Sequence, residues 1–182
     1  MTEAYVFWHR RSPETSRERY EEGLKKFHEV LRRTGVNGLH FSSSYRVYGI
    51  PWMPEGDIYE DWYYISDSSV LDRLIEEVEQ RIRVEHDEIA SMSMEGKGTL
   101  LQLKGGDVKV TSRDEVTWFS KPRGVRYEDF YSRLGIKDQS LWRRLLAMGP
   151  SPEFCLIGKD RVYRENAVYV SREMIYTSKP LD

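Results

Sequence analysis

The sequence predicts an α+β protein, a β-α-β-β-α-β unit followed by a partial second unit of the same kind. Three observations carry that prediction. Strand-like runs rich in aromatic and β-branched residues recur, namely AYVFWHR, LHFSSSYRVY, IYEDWYYIS and TLLQLK. Between the first two runs, and again between the last two, apolar residues return at three- and four-residue spacing, as on one face of a helix. Finally, a tryptophan, a basic proline-containing loop and an Arg-Tyr-acid-acid string occur twice. The first copy is Trp8 with Arg19-Tyr20-Glu21-Glu22; the second is Trp118 with Arg126-Tyr127-Glu128-Asp129.

In the first unit, residues 4–10 read as a strand. Ser12-Pro13-Glu14 offers an N-cap, a proline for the first helical position and an acidic first turn. Tyr20, Leu24, Phe27 and Leu31 with Val30 form the apolar helical face. Gly35 follows the basic pair Arg32-Arg33 as the expected left-handed stop. Asn37-Gly38 then leads into an aromatic hairpin over residues 38–66, its arms joined by IPWMPEGD. Ser68 and Ser69 are placed to cap a second helix with the stripe Leu71, Leu74, Ile75, Val78 and Ile82, continuing to Ile89. The GKG at residues 96–98 lacks the rest of a phosphate-binding loop and is expected to form a turn before TLLQLK. Lys104-Gly105-Gly106-Asp107 is a hairpin signal that predicts VKVT pairing back on that strand.

The second unit opens with the strand VTWFS and a helix carrying Tyr127, Phe130, Tyr131 and Leu134. A further helix capped by Asp138 is predicted from Leu141, Trp142, Leu145 and Leu146, stopped by Gly149-Pro150. FCLIG and NAVYVSREMIY supply two strands. On this count the unit is short of a last helix and strand. The predicted division is residues 1–112 and 113–182.

Composition bounds the function. At 182 residues, with 39% apolar and 32% charged residues, the chain can bury a sizeable core. A net charge of −2 gives no overall attraction to nucleic acid or anionic membranes, so neither is an expected partner. No apolar run approaches the ~20 residues of a membrane span, and the acidic start MTEAYVFWHRR is unlike a signal peptide. The lone Cys155 forbids an internal disulfide and favours a cytoplasmic location. Within FCLIG it reads as a buried structural thiol. Two Asn and three Gln among abundant charges follow the thermophile pattern.

The element order, a β-α-β-β-α-β unit and then part of another, resembles the dimeric α/β-barrel superfamily, built from ferredoxin-like units. The resemblance covers most of the chain and rests on order, without a diagnostic motif. It implies two sheets facing each other around a cavity. Members include haem-dependent chlorite dismutase-like proteins and cofactor-free monooxygenases, so haem is one cofactor the resemblance allows.

In a ferredoxin-like sheet one face meets the helices and the other is open. Alternation along the strands sorts the residues into two sets. Val6, Trp8, Leu39, Phe41, Leu101 and Leu103 are assigned to the helix side. Phe7, His9, His40, Ser42, Ser44, Arg46, Asp61, Tyr63, Gln102 and Lys104 are assigned to the open side, facing the second sheet. A bulge near residues 42–44 would exchange the faces and bring in Tyr45.

Polar groups converging on an aromatic surface describe a ligand pocket. His40 and His9 are the candidate general bases, Arg46 the anion-holding fork, and Asp61 the group that orients them. Phe7 and Tyr63 supply walls, while Ser42, Ser44 and Gln102 add polar contacts. The expected ligand is a small molecule, haem or another planar or anionic compound. One alternative is a cofactor-independent enzyme with a His base; another is a non-catalytic homo-oligomer that uses the face as an interface. His28 and His86 read as ordinary, partly exposed histidines, and Arg143-Arg144 as a solvated helix face. No His pair has the spacing that places two metal ligands on one helical face, so no metal is expected.

Overall fold

The computed structural model describes residues 2–182. Its first part is β1 (Glu3–Arg11), α1 (Arg17–Thr34), β2 (Leu39–Tyr48), β3 (Ile58–Ile65), α2 (Val70–Arg81), α3 (Arg83–Met92) and β4 (Ser93–Gly105). The remainder is β5 (Arg113–Phe119), α4 (Tyr127–Arg133), β6 (Ser140–Arg144), β7 (Phe154–Gly158) and β8 (Val168–Thr177). The eight strands close into one barrel, ordered β1-β3-β2-β8-β5-β7-β6-β4, with antiparallel pairing throughout. The first four strands run β4-β1-β3-β2 and the last four β8-β5-β7-β6, the same order within each group. The groups join at β2–β8 and β6–β4. None of the helices among the described residues is long and apolar enough to cross a membrane.

Several local expectations change. Ser16, not Ser12, caps α1, its side chain accepting from the Arg19 amide. Gly35 ends that helix in the left-handed conformation as expected (φ 67°). The second helix is broken at Ile82 into α2 and α3. The GKG segment lies inside β4, not in a turn, because it pairs with β1 opposite Phe7, Trp8 and His9.

The predicted KGGD hairpin is absent. Gly106 takes φ 71°, and a Cβ there would come within 2.1 Å of the Gln139 carbonyl oxygen, so this glycine serves a close crossing. VKVT does not pair with β4. It is tied to the C-terminus, the Val110 amide donating to Asp182 Oδ2 at 2.7 Å and Lys179 Nζ donating to the Val108 carbonyl at 3.1 Å.

The helix predicted around Leu141 and Trp142 is strand β6. Its Leu141 packs outside the barrel with Phe154 and Leu156, and its Trp142 packs inside. A strand buried on both faces loses the polar alternation that marks strands, and its spacing then imitates a helix. The second group of strands is therefore complete and lacks only a second helix.

The barrel interior is a solid core. Trp8, Trp62, Trp118 and Trp142 are fully buried there with Tyr45, Tyr64, Val6, Leu101 and Cys155. The two tryptophans of the repeated string, Trp8 and Trp118, meet edge to face, ring centroids 5.7 Å apart. One ionic cluster crosses this core. Arg172 of β8 donates to Asp114 Oδ2 of β5 at 2.9 and 3.0 Å and to Glu60 Oε1 of β3 at 3.1 Å. Trp8 Nε1 donates to the other Glu60 oxygen, and Trp62 Nε1 to Oε1. Cys155 is buried as expected, and burial raises its thiol well above the usual value.

The two alternating sets hold together, but on exchanged sides. Val6, Trp8, Phe41 and Leu101 face the barrel interior, and Leu103 packs against that core. Tyr59, Tyr63 and Ile65 pack against helix-side residues such as Tyr20, Leu24, Phe27 and Leu31. A bulge at His40 leaves Leu39 alone of its set on the helix side. The packed core fills the space between the two groups of strands, so the polar face assigned there lies instead on the outside of the barrel, on the side the helices cover.

Candidate functional site

A cavity of about 490 Å³ lies between α2, α3 and the outer face of β1, β3 and β4. Leu74, Ile75 and Val78 of α2 and Ile89 and Ala90 of α3 cover it. Its floor is aromatic, because residues two apart on a strand share a face. Tyr5 lies 18° from the plane of Phe7 and 27° from that of Tyr63, and Phe7 lies 23° from His9. Two β4 glycines make room for these rings. A Cβ at Gly96 would stand 2.4 Å from Phe7 Cζ, and one at Gly98 2.8 Å from the Tyr5 hydroxyl. Such a floor suits a flat apolar molecule.

The polar wall is built on Asp61. Its Oδ2 lies 3.1 Å from His9 Nε2, and its Oδ1 3.3 Å from His28 Nε2, the second contact falling short of hydrogen-bond geometry. A carboxylate only accepts, so His9 presents Nε2–H to it. His9 Nδ1 meets the Tyr20 hydroxyl at 2.5 Å, and that hydroxyl meets Ser93 Oγ at 2.8 Å. His28 Nδ1 meets Ser42 Oγ at 2.9 Å. Burial alone would raise the Asp61 carboxyl; the adjacent His9 and His28 outweigh it and hold the group well below the usual carboxylate range. Burial and the Asp61 charge push the Tyr5 and Tyr63 hydroxyls up.

Because Asp61 binds its proton less readily when folded, its contribution to stability is complete above the ordinary carboxylate value of about 4. It is lost as pH falls below that value, toward the depressed folded one. Unfolding measured between pH 5 and pH 2 should therefore weaken more steeply for the native chain than for Asp61→Asn, by up to about 1.4 kcal/mol per pH unit. Parallel acid limbs would refute an ionised, imidazole-held Asp61.

Of the residues singled out from sequence, Phe7, His9, Asp61 and Tyr63 line the cavity, and Ser42 stands behind it, bonded to the His28 that faces Asp61. The others do not converge. His40 sits exposed at the β2 bulge, away from Asp61. Arg46 is held by Glu21 through Nε at 3.0 Å and also through Nη2, with Glu173 at 3.4 Å, so it holds no pocket anion. Gln102 lies beside Glu3 and Lys104. Ser44 is buried in β2 outside the cavity wall. His86 is exposed at the cavity rim.

Sequence reasoning missed His28, Tyr20 and Ser93 as polar members. His28 is fully buried, not partly exposed. It follows Leu24 by four residues and precedes Leu31 by three, so the apolar spacing of α1 already placed it on the buried face.

No protein-family model and no curated protein matches the sequence. Solved structures do match over nearly the whole chain. A Fusobacterium nucleatum protein named as a monooxygenase aligns with TM-score 0.63 and 9% identity, over 97% of this chain and 93% of that one. A Lactobacillus acidophilus protein named as a monooxygenase gives 0.61 and 8%, over 97% and 96%. An anthrone oxidase-like protein gives 0.59 and 8%, over 97% and 92%. The chain shares their α+β-barrel fold.

Proposed function

We propose that this chain is an enzyme that binds a neutral, planar small molecule beneath α2 and α3 and exchanges a proton with it through the His9–Asp61 pair. The observation that carries the reading is the buried Asp61 carboxylate, flanked by two imidazoles and opening on a flat aromatic floor. Similar structures are named as monooxygenases and as anthrone oxidase-like. Oxidation of a phenolic or enolisable ring compound that begins with loss of a proton is the reaction class joining those names to this site. The strand order supports two ferredoxin-like units, residues 1–112 and 113–182, with the chemistry in the first. The single buried thiol supports a cytoplasmic setting.

Haem fits this cavity poorly. Among the described residues no Lys or Arg lines it to meet propionates, whereas Asp61, Glu79 and Glu95 do line it. Both ring nitrogens of His9 are engaged, by Asp61 and Tyr20, and His28 stands beside Asp61 outside the cavity lining. The same lining disfavours small ligands that arrive already anionic, with no proton to deliver to His9.

A thermal-shift screen of 1-naphthol, 7-hydroxycoumarin, haem and small carboxylates tests the reading. The flat phenols should raise the melting temperature, the equivalent of about 2.7 kcal/mol at a hundredfold excess over Kd. Haem and the carboxylates should not, and Asp61→Asn should lose at least about tenfold in phenol affinity, as for a hydrogen bond to a charged group. Failure of every flat phenol to stabilise the native chain would refute it.

A further inference from the structure

We infer that Ser93 and Tyr20 belong to the proton-exchange machinery, with Ser93 Oγ receiving the ligand's proton at the cavity wall and Tyr20 handing one on to His9. The inference rests on the reading above and concerns how the proton travels. Both His9 nitrogens are engaged, Nε2 by Asp61 at 3.1 Å and Nδ1 by Tyr20 at 2.5 Å. A ligand therefore meets no free nitrogen of His9. Tyr20 is fully buried and does not line the cavity, whereas half-buried Ser93 does. Ser93 Oγ lies 2.8 Å from the Tyr20 hydroxyl, which completes an unbroken path from the cavity wall to Nδ1.

Proton counting supports the direction of travel. Ser93 Oγ also donates to the Ile89 carbonyl at 2.8 Å. With His9 neutral, the hydroxyls of Ser93 and Tyr20 have two protons for three contacts: Nδ1–Tyr20, Tyr20–Ser93 and Ser93–Ile89. One more proton completes the set. Nδ1–H then donates to Tyr20, Tyr20 to Ser93, and Ser93 to the Ile89 carbonyl.

In the step itself the ligand O–H bond breaks and its proton bonds to Ser93 Oγ. The Ser93 proton passes to the Tyr20 oxygen and the Tyr20 proton to His9 Nδ1. The ligand is left as an oxyanion and His9 as an imidazolium beside the Asp61 carboxylate. No electron moves and no co-reactant is consumed.

The groups facing His9 are consistent with this. Asp61 and Tyr59 come from β3, and Tyr20 from α1, with His28 of α1 across Asp61. Burial raises the Tyr20 hydroxyl far above its usual value, which keeps it a neutral carrier, with the Ser93 hydrogen bond and then Arg11 acting the other way.

The test uses 7-hydroxycoumarin, whose absorption distinguishes phenol from phenolate. Bound to the native chain it should ionise below its midpoint in free solution. Ser93→Ala and Tyr20→Phe should still bind it but raise the bound midpoint by about one unit, a tenfold loss of phenolate at fixed pH. Ser93→Thr, which keeps the hydroxyl, should restore the native midpoint. An unchanged midpoint in Ser93→Ala and Tyr20→Phe would overturn the inference, and its loss only in Asp61→Asn would assign the transfer directly to Asp61. Absence of binding to the native chain would instead defeat the reading of the site, and this inference with it.

Discussion

Arg172→Met is expected to cost about 3–5 kcal/mol of unfolding free energy, the usual penalty for removing one partner of a buried ionic cluster. Methionine fills most of the volume, so the loss is electrostatic rather than steric. Arg172, Glu60 and Asp114 are all buried within the barrel. Without the guanidinium, two carboxylates remain in the core. Glu60 keeps only the indole N–H groups of Trp8 and Trp62, and Asp114 only the Thr111 hydroxyl. The guanidinium also stands 4.0 Å over the Tyr45 ring, a cation–π contact that methionine does not reproduce. Denaturant unfolding at neutral pH measures the effect. The triple variant Arg172→Met/Glu60→Gln/Asp114→Asn should regain much of it, because neutral amides need no counter-charge. If the single variant is as stable as the native chain, the cluster does not hold the barrel together.

Trp62→Ala is expected to cost a comparable 3–5 kcal/mol or so, the range for emptying a large buried aromatic site. Trp62 is fully buried, with Trp142 edge-on at 5.3 Å and Tyr64 stacked at 5.6 Å. Its indole N–H also donates to Glu60 at 2.5 Å, so truncation removes a donor from a buried carboxylate as well as leaving a void. The contacts join β3 of the first group of strands to β6 of the second. Unfolding of the variant should therefore show reduced stability of the closed barrel, measured as a shift of the denaturant midpoint. A loss within about 0.5 kcal/mol would place Trp62 on the surface and contradict the closed core.

The order of strands and helices through β4 is written in local periodicity, with turn chemistry at Gly35 and in the 50–57 loop. The face shared by Phe7, His9, Asp61 and Tyr63 follows from two-residue alternation, so the Asp61–His9 pair and part of the aromatic floor were legible before any fold was known. What surrounds that face was not. Every residue of β3 is buried, so hydrophobic contrast cannot say which side meets helices and which meets the other sheet. Closure decided it, through the pairing of β2 with β8 and β4 with β6, segments far apart in the chain. The same closure hid β6, whose two buried faces imitate helical spacing, while the packing of α1 on β2 gave Arg46 to Glu21 and not to Asp61. Thus the sequence determined the elements and which side chains travel together. Tertiary structure alone decided where they sit, bringing His28, Tyr20 and Ser93 to Asp61, because their proximity depends on helix packing over the sheet and local patterns carry no record of it.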